Sequence, residues 1–109
     1  MRRITSEQMN IRIILQTNTP TRGADGAILP SWADTYTVRA GRLRKDSREF
    51  YEAQKNNSEI TDIFMIRYRS GITEQMRVSF GGKYYSIIAE PDNSGDRNRQ
   101  LALVCKAVE

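Results

Sequence analysis

The sequence predicts a mainly β domain, a small antiparallel β-barrel of about six strands with one short α-helix inserted between the second and third strands. Residues 63–88 carry the strongest signal, because they divide into three consecutive strands at 63–69, 76–80 and 83–89. In residues 76–80 apolar and polar side chains alternate, the period of two that is typical of a strand with one solvent-facing side. Turn-rich segments separate the strands at near-regular spacing, which favours an antiparallel barrel or sandwich.

Two glycine-containing turns support this fold. Gly81-Gly82 lies between two strands, and a tight type I′ hairpin needs positive φ at both of its central residues. Residues 17–29 are rich in Thr, Gly, Asp and Pro, and they predict a long hairpin loop with Asp25-Gly26 at its corner.

The first two strands are assigned from alternation and β propensity. Residues 8–16 form the first strand, since every second side chain from Met9 to Leu15 is apolar and these side chains face one way. Residues 32–44 form the second strand. Its Trp32 is interpreted either as a partly buried packing residue or as an interface residue, since tryptophan is enriched in both settings.

A short helix of about two turns is predicted in the segment DSREFYEAQKNN. Asp46 is in position to cap its N-terminus, and Glu49 follows at the spacing of a capping box. Phe50 and Ala53 then fall near one helical face. Because isolated helices of this length are marginal in water, residues 46–58 are expected to be mobile in the free monomer and ordered by assembly.

The last part of the chain returns to strands. Residues 59–69 are apolar on both faces, which predicts a strand that packs inside the barrel and also against a helix or a neighbouring subunit. Residues 91–97 form a loop, and residues 100–108 form the closing strand. Its Cys105 is interpreted as a small buried hydrophobe rather than a reactive thiol.

Composition restricts the possible functions. The length of 109 residues predicts a single domain, 1–109, with a flexible lead-in at 1–7. The chain contains one cysteine and no histidine. An intramolecular disulfide, a His/Cys zinc site and a histidine-based catalytic triad are excluded. A carboxylate-based active site stays open, although no paired-acid motif is present. Neither a signal peptide nor a membrane span is predicted, since the apolar runs are too short.

Basic residues cluster between positions 39 and 48. The net charge of +4, from 17 basic and 13 acidic residues, is mild, so the distribution is more informative than the sum. One acid, Asp46, accompanies five bases: Arg39, Arg42, Arg44, Lys45 and Arg48. These side chains are interpreted either as DNA contacts or as surface charges that form salt bridges between subunits or lie in solvent.

The order of several segments resembles a known family. These segments are MNIRIILQ, a DG-containing loop, a strand ending in VRAGRLRK, the insert SREFYEAQ, and then FMIRYRSGI, MRVSFGGKYYSI and LALVC. Together, over about residues 9–105, they are similar to the head–tail joining proteins (head completion, or head–tail adaptor or stopper, proteins) of long-tailed bacteriophages and prophages.

The resemblance implies a structural, non-enzymatic virion protein without a cofactor. Such proteins form an oligomeric ring of the head–tail connector, a dodecamer in the virion and a monomer when free. They extend the channel of the portal and adaptor proteins, help to retain the packaged double-stranded DNA and provide the docking surface for tail-completion or tail-tube proteins. The implied localisation is the virion, with the host cytoplasm as the site of assembly and no membrane involved.

The resemblance also implies candidate site residues. In a well-known member of the family, the segment that matches residues 41–59, the mobile insert, projects into the channel and changes conformation to form the gate. Its candidate channel or gating residues are Arg42, Arg44, Lys45, Asp46, Arg48, Glu49, Tyr51 and Gln54. The candidate interface residues are Trp32, Tyr68 and Tyr84.

One alternative belongs to another functional class, a small basic β-barrel of the oligonucleotide-binding type that binds nucleic acid. Its motivation is a possible stacking platform, in which tyrosines lie beside basic residues. The residues concerned are Tyr68, Tyr84 and Tyr85 together with Arg67, Arg69 and Lys83. An enzyme is the third alternative.

Overall fold

The computed structural model describes residues 9–89, 91 and 100–108 of the chain, which form eight strands and one helix. The predicted lead-in at 1–7 lies outside the described residues, as does the predicted loop at 91–97 apart from Pro91. The elements are β1 (Ile11–Asn18), β2 (Thr21–Arg22), β3 (Ile28–Leu29), β4 (Trp32–Arg42), α1 (Arg48–Asn56), β5 (Asp62–Arg67), β6 (Arg77–Phe80), β7 (Lys83–Ile87) and β8 (Gln100–Val108).

Six strands form one antiparallel sheet that closes into a barrel. Its order is β1-β4-β5-β8-β7-β6, and β6 pairs back with β1. Strands β6 and β7 are joined by the tight turn at Gly81-Gly82, whereas β4 and β5 also pair directly but are joined by residues 43–61, which include α1. The prediction of a mainly β fold based on six antiparallel strands is confirmed.

The predicted position of the helix needs a correction. Helix α1 follows the fourth strand of the chain, not the second, because the predicted loop at 17–29 contains two short strands of its own. Strands of two residues are too short to show a period, so alternation gave no sign of them. Within the six-stranded sheet alone, α1 connects the second and third strands in chain order.

Strands β2 and β3 form a separate hairpin that pairs with no strand of the barrel. Its base is closed by the Thr19 backbone N–H, which donates to the Ser31 carbonyl at 2.7 Å. The predicted corner is present: Gly26 has a φ of 84°, and the Asp25 carboxylate accepts from the Ala27 N–H at 3.0 Å. These hydrogen bonds give the hairpin a defined conformation. It exposes 69% of Ile28 to solvent.

The barrel interior is filled by the inward-facing side chains of all six strands. Phe64 of β5 is fully buried there, and its ring meets Tyr85 edge-on with 5.3 Å between the ring centroids. The segment between β5 and β6 contributes Ile72 and Met76, which close one end of the barrel. This interior is the main core of the protein.

A second core lies between helix α1 and the outer surface of β5 and β8. Phe50 of α1 is 1% exposed and packs in a cluster with Ile63 and Met65 of β5. Strand β5 therefore has one face in each core, as its two apolar faces predict. Met9 was expected to face the same way as Leu15, but it lies in this second core, because β1 begins only at Ile11.

Ser47, not Asp46, is the N-cap of α1. The Ser47 hydroxyl accepts from the Phe50 backbone N–H at 3.2 Å, while the Asp46 carboxylate pairs with Arg44. Glu49 is therefore in the first turn, where its negative charge is stabilised by the positive end of the helix dipole. The predicted capping box is not formed.

Whether residues 41–59 are mobile in the free protein stays a prediction.

The turn between β6 and β7 requires glycine at both positions, since φ is 61° at Gly81 and 78° at Gly82. Replacing Gly82 with alanine should lower the free energy of unfolding by about 1 kcal/mol, because a Cβ is strained in the left-handed region. Gly82→Asn should cost less, since asparagine tolerates this conformation. Urea unfolding of the two variants measures both effects, and equal costs would contradict the explanation.

Candidate functional site

Three charged side chains meet at one end of the barrel. Asp62, at the start of β5, is buried with only 5% of its side chain exposed, and it forms a salt bridge with Arg42 of β4. The Lys45 ammonium lies 3.9 Å from the same carboxylate oxygen. The Arg42 guanidinium also lies 5.7 Å from the centre of the Phe64 ring. Arg42 thus covers this end of the barrel and neutralises a buried carboxylate.

Two other bases of the predicted cluster pair with acids of their own segment. Arg44 forms two hydrogen bonds with Asp46, at 2.8 and 3.1 Å. Arg48 pairs with Glu52 one helical turn away at 3.1 Å. Both pairs are exposed, so each contributes little to stability. The cluster is thus largely neutralised within the chain, an arrangement that the two interpretations of the sequence did not include.

The remaining candidate channel residues lie on helix α1. Glu49 is half-buried in the first turn, and Tyr51 is 64% exposed. The Gln54 side-chain amide donates to the Ile60 carbonyl at 2.8 Å, so it holds the segment that follows the helix. The structure therefore places the eight residues in two groups, one at the barrel end and one on the helix. A role for them in a channel or gate stays a prediction.

Trp32 and Tyr84 come together on the outside of the barrel around Arg77. The Arg77 guanidinium carbon lies 4.2 Å from the centre of the Trp32 ring and 3.9 Å from that of Tyr84. Its Nε donates to the Gln16 side chain at 2.6 Å, and Gln16 donates in turn to Asp34 at 2.8 Å. We refer to Trp32, Arg77 and Tyr84 as the aromatic stack.

The stack lies within a larger surface, which we call the basic face. It comprises outward side chains of β4, β1 and β6 together with Tyr84 of β7, and cations predominate among its charges. Across β1 and β4, Arg12 is directly opposite Arg39. Among the described residues its bases are Arg12, Arg39 and Arg77, and its acid is Asp34. Arg77 is a functional candidate that the sequence analysis did not identify. The sequence did contain a sign of it, because Arg77 is the one cation of the alternating strand at 76–80, and the predicted strands before and after that strand contain tyrosines.

The third predicted interface residue, Tyr68, lies elsewhere. It follows the end of β5, where Arg67 is opposite Gln100, whereas Tyr84 is opposite Val108 at the other end of β8. Eight residues of strand separate these two positions, roughly 26 Å at the usual rise per residue. Tyr85 is buried in the barrel, with 5% exposed. The tyrosine platform of the oligonucleotide-binding alternative is therefore not assembled.

Cys105 faces the barrel interior, and no part of it is exposed. Burial raises the pKa of the Cys105 thiol well above its ordinary value, and the charge of nearby Asp62 raises it further. The prediction of a small buried hydrophobe is confirmed. Such a thiol is not available as a thiolate nucleophile at neutral pH.

The buried thiol should make stability depend on alkaline pH. In the unfolded chain Cys105 ionises above about pH 8.5, while in the folded chain it stays protonated, so its contribution is complete below that pH and is lost as pH rises. Between pH 7 and pH 10 the wild type should lose about 2 kcal/mol more than Cys105→Ala. Urea unfolding at several pH values measures the difference, and parallel losses in the two proteins would contradict it.

Among residues 9–89, 91 and 100–108 no group of three or more acidic, cysteine or histidine side chains is placed to hold a metal ion. The same residues include no helix that is long and apolar enough to span a bilayer.

Comparison with known proteins points to one family. Residues 4–108 match the family described as phage head completion protein. A protein from Shigella flexneri 2a, whose structure was determined in solution, has a TM-score of 0.71 and 27% identity, covering 95% of this chain and 96% of that chain. A chain in the virion of a native gene transfer agent particle has a TM-score of 0.62 and 14% identity, covering 91% of this chain and 94% of that one, and it supports the fold alone. Comparison of this chain with curated proteins found no match.

Proposed function

This chain belongs to the phage head completion protein family, and from that membership we propose that it is a structural, non-enzymatic component of the phage head–tail connector. The observation that carries the proposal is the family match over residues 4–108, which spans nearly the whole chain. The barrel supports it, since the same fold occurs in a chain of a virion particle.

In this proposal the protein forms a ring that extends the portal channel, acts as a stopper for the packaged DNA and presents a surface to the tail. The barrel end with Arg42 and Lys45 faces the channel, together with the exposed connection to helix α1. Because Arg42 and Arg44 are already paired within the chain, this surface presents few free cations to DNA phosphates. A weakly attractive wall suits a conduit through which DNA must move, since each phosphate contact would strengthen binding.

Deletion of the gene tests the proposal. Heads should still fill with DNA, but they should lack tails and lose DNA, and a plasmid copy of the gene should restore infectious particles. Electron microscopy of the restored particles should show the protein as a ring between the head and the tail. Normal numbers of infectious particles from the deletion strain would overturn the proposal.

A further inference from the structure

We propose that helix α1 of one copy of this chain binds the basic face of a second copy, and that repetition of this contact builds the ring. The inference rests on the proposed function, because it identifies the partner of the basic face as the next subunit. Three observations carry it: the charges of the two surfaces, their positions on the barrel and the geometry of the aromatic stack.

The basic face has an excess of cations that no acid among residues 9–89, 91 and 100–108 neutralises. Arg12 and Arg39 are both exposed and directly opposite each other, an arrangement that is unfavourable for like charges. Asp34 already accepts a hydrogen bond from Gln16. A surface of this kind is suited to an acidic counterpart.

The segment around α1 has the complementary charge, by a small excess. Between positions 46 and 59, Asp46 is paired with Arg44 and Glu52 with Arg48, so the acids Glu49 and Glu59 remain against the base Lys55. Within the described part of the chain, Glu49 and Glu59 form no ion pair. Tyr51, in the same segment, exposes an aromatic ring that is available for packing. The helix surface therefore offers both free carboxylates and apolar area.

The two surfaces lie on opposite sides of the barrel. Helix α1 packs on β5 and β8, whereas β1 and β6 form the centre of the basic face. In the closed order β1-β4-β5-β8-β7-β6, β6 is three strands away from β5 in either direction, and β1 is equally far from β8. A contact between opposite sides is heterologous, so it continues from copy to copy and closes as a ring when the rotation allows.

The aromatic stack holds the Arg77 side chain in one orientation, in which it can bind a carboxylate. Trp32 and Tyr84 cover the guanidinium faces and Gln16 occupies Nε, so the side chain is held in one orientation. In the described structure the terminal amino groups of Arg77 donate no hydrogen bond. A fixed, planar guanidinium with a free edge binds a carboxylate through two parallel hydrogen bonds. We assign Arg77 as the central recognition residue of the face.

The experiment follows the backbone amide and indole NMR signals of the ¹⁵N-labelled chain as its concentration rises to about 1 mM, where even a Kd near that value gives substantial binding. Concentration-dependent shifts are expected on two separate surfaces, around Glu49–Tyr51 on the helix and around Trp32 and Arg77 on the basic face. Two variants reverse charge without changing any pair within the described chain: Arg12→Glu/Arg39→Glu on the basic face and Glu49→Lys/Glu59→Lys near the helix.

Each variant should weaken self-association at least tenfold, and the chain with all four substitutions should recover it, because the charges then complement one another again. Labelled Arg12→Glu/Arg39→Glu mixed with unlabelled wild type should show shifts at the helix alone. Arg77→Lys keeps the charge but loses the planar fork, and it should weaken binding as well. Arg22→Glu and Glu74→Lys are matched controls outside both surfaces and should leave association unchanged.

The proposal is overturned if the wild type shows no concentration-dependent shifts, if the reversals have no effect, or if the fourfold variant does not recover. It is also overturned if short duplex DNA, and not a second copy, shifts the signals of the basic face. These results would leave the proposed function standing, because the deletion experiment does not depend on this contact.

Discussion

Replacing Phe64 with alanine is expected to lower the free energy of unfolding by about 4 kcal/mol, the range for a phenylalanine lost from a packed core. Phe64 is 0% exposed and its ring lies edge-on to two other aromatic rings of the barrel, with ring centroids at 5.3 Å for Tyr85 and 6.3 Å for Phe80. Its ring also lies under the Arg42 guanidinium. The variant leaves a cavity that the closed barrel cannot collapse, because its strands are paired on both sides.

Urea unfolding followed by circular dichroism measures this loss. Phe64→Leu should cost about 1 kcal/mol, since most of the volume is kept. Tyr51→Ala, an aromatic truncation on the helix surface, should change stability by about 0.5 kcal/mol or less. A Phe64→Ala protein as stable as Tyr51→Ala would show that the barrel interior is not the main core.

Replacing Arg42 with methionine is the second change with a large expected effect, a loss of about 3 kcal/mol. The variant leaves the Asp62 carboxylate buried, with only 5% of its side chain exposed and with Lys45 as its remaining cation at 3.9 Å. The cost arises from the uncompensated buried charge more than from the lost attraction. Thermal and urea unfolding of the variant measure it.

A double variant separates these two causes. Arg42→Met/Asp62→Leu should recover most of the stability, because the buried carboxylate that Arg42→Met leaves uncompensated is then replaced by an apolar side chain. Arg44→Met is the matched control, since the Arg44–Asp46 pair is exposed and its loss should cost about 0.5 kcal/mol or less. If the double variant is as unstable as Arg42→Met, the salt bridge itself is the stabilising interaction.

Sequence periodicity was sufficient for most of the fold. Alternation, β propensity and turn signals together located the six barrel strands, and the two apolar faces of β5 predicted its place between two cores. The glycine turn at Gly81-Gly82 was predicted because only positive φ satisfies that hairpin. The closing strand was predicted with the bounds that the structure shows, Gln100–Val108.

Other features depend on contacts that a single sequence does not contain. Asp46 and Ser47 are both good N-caps, and the choice between them depends on Arg44, which takes the Asp46 carboxylate. The partner of Arg42 is Asp62, twenty residues away, and only strand pairing brings them together. In the same way Arg77 meets Trp32 only because β6 pairs with β1 and β1 pairs with β4.

The closed barrel has a consequence for solubility. A sheet with open edges presents unpaired N–H and C=O groups, and such edges recruit strands of other molecules into aggregates. In the part of the chain that the structure describes, each of the six barrel strands has a partner on both sides over at least part of its length. Free edges remain on β2 and β3 and where a barrel strand extends beyond one partner, as β4 does before Ala40. Where the barrel is closed, the backbone cannot pair with another copy, and association there is left to side chains, whose charges and shapes can be specific.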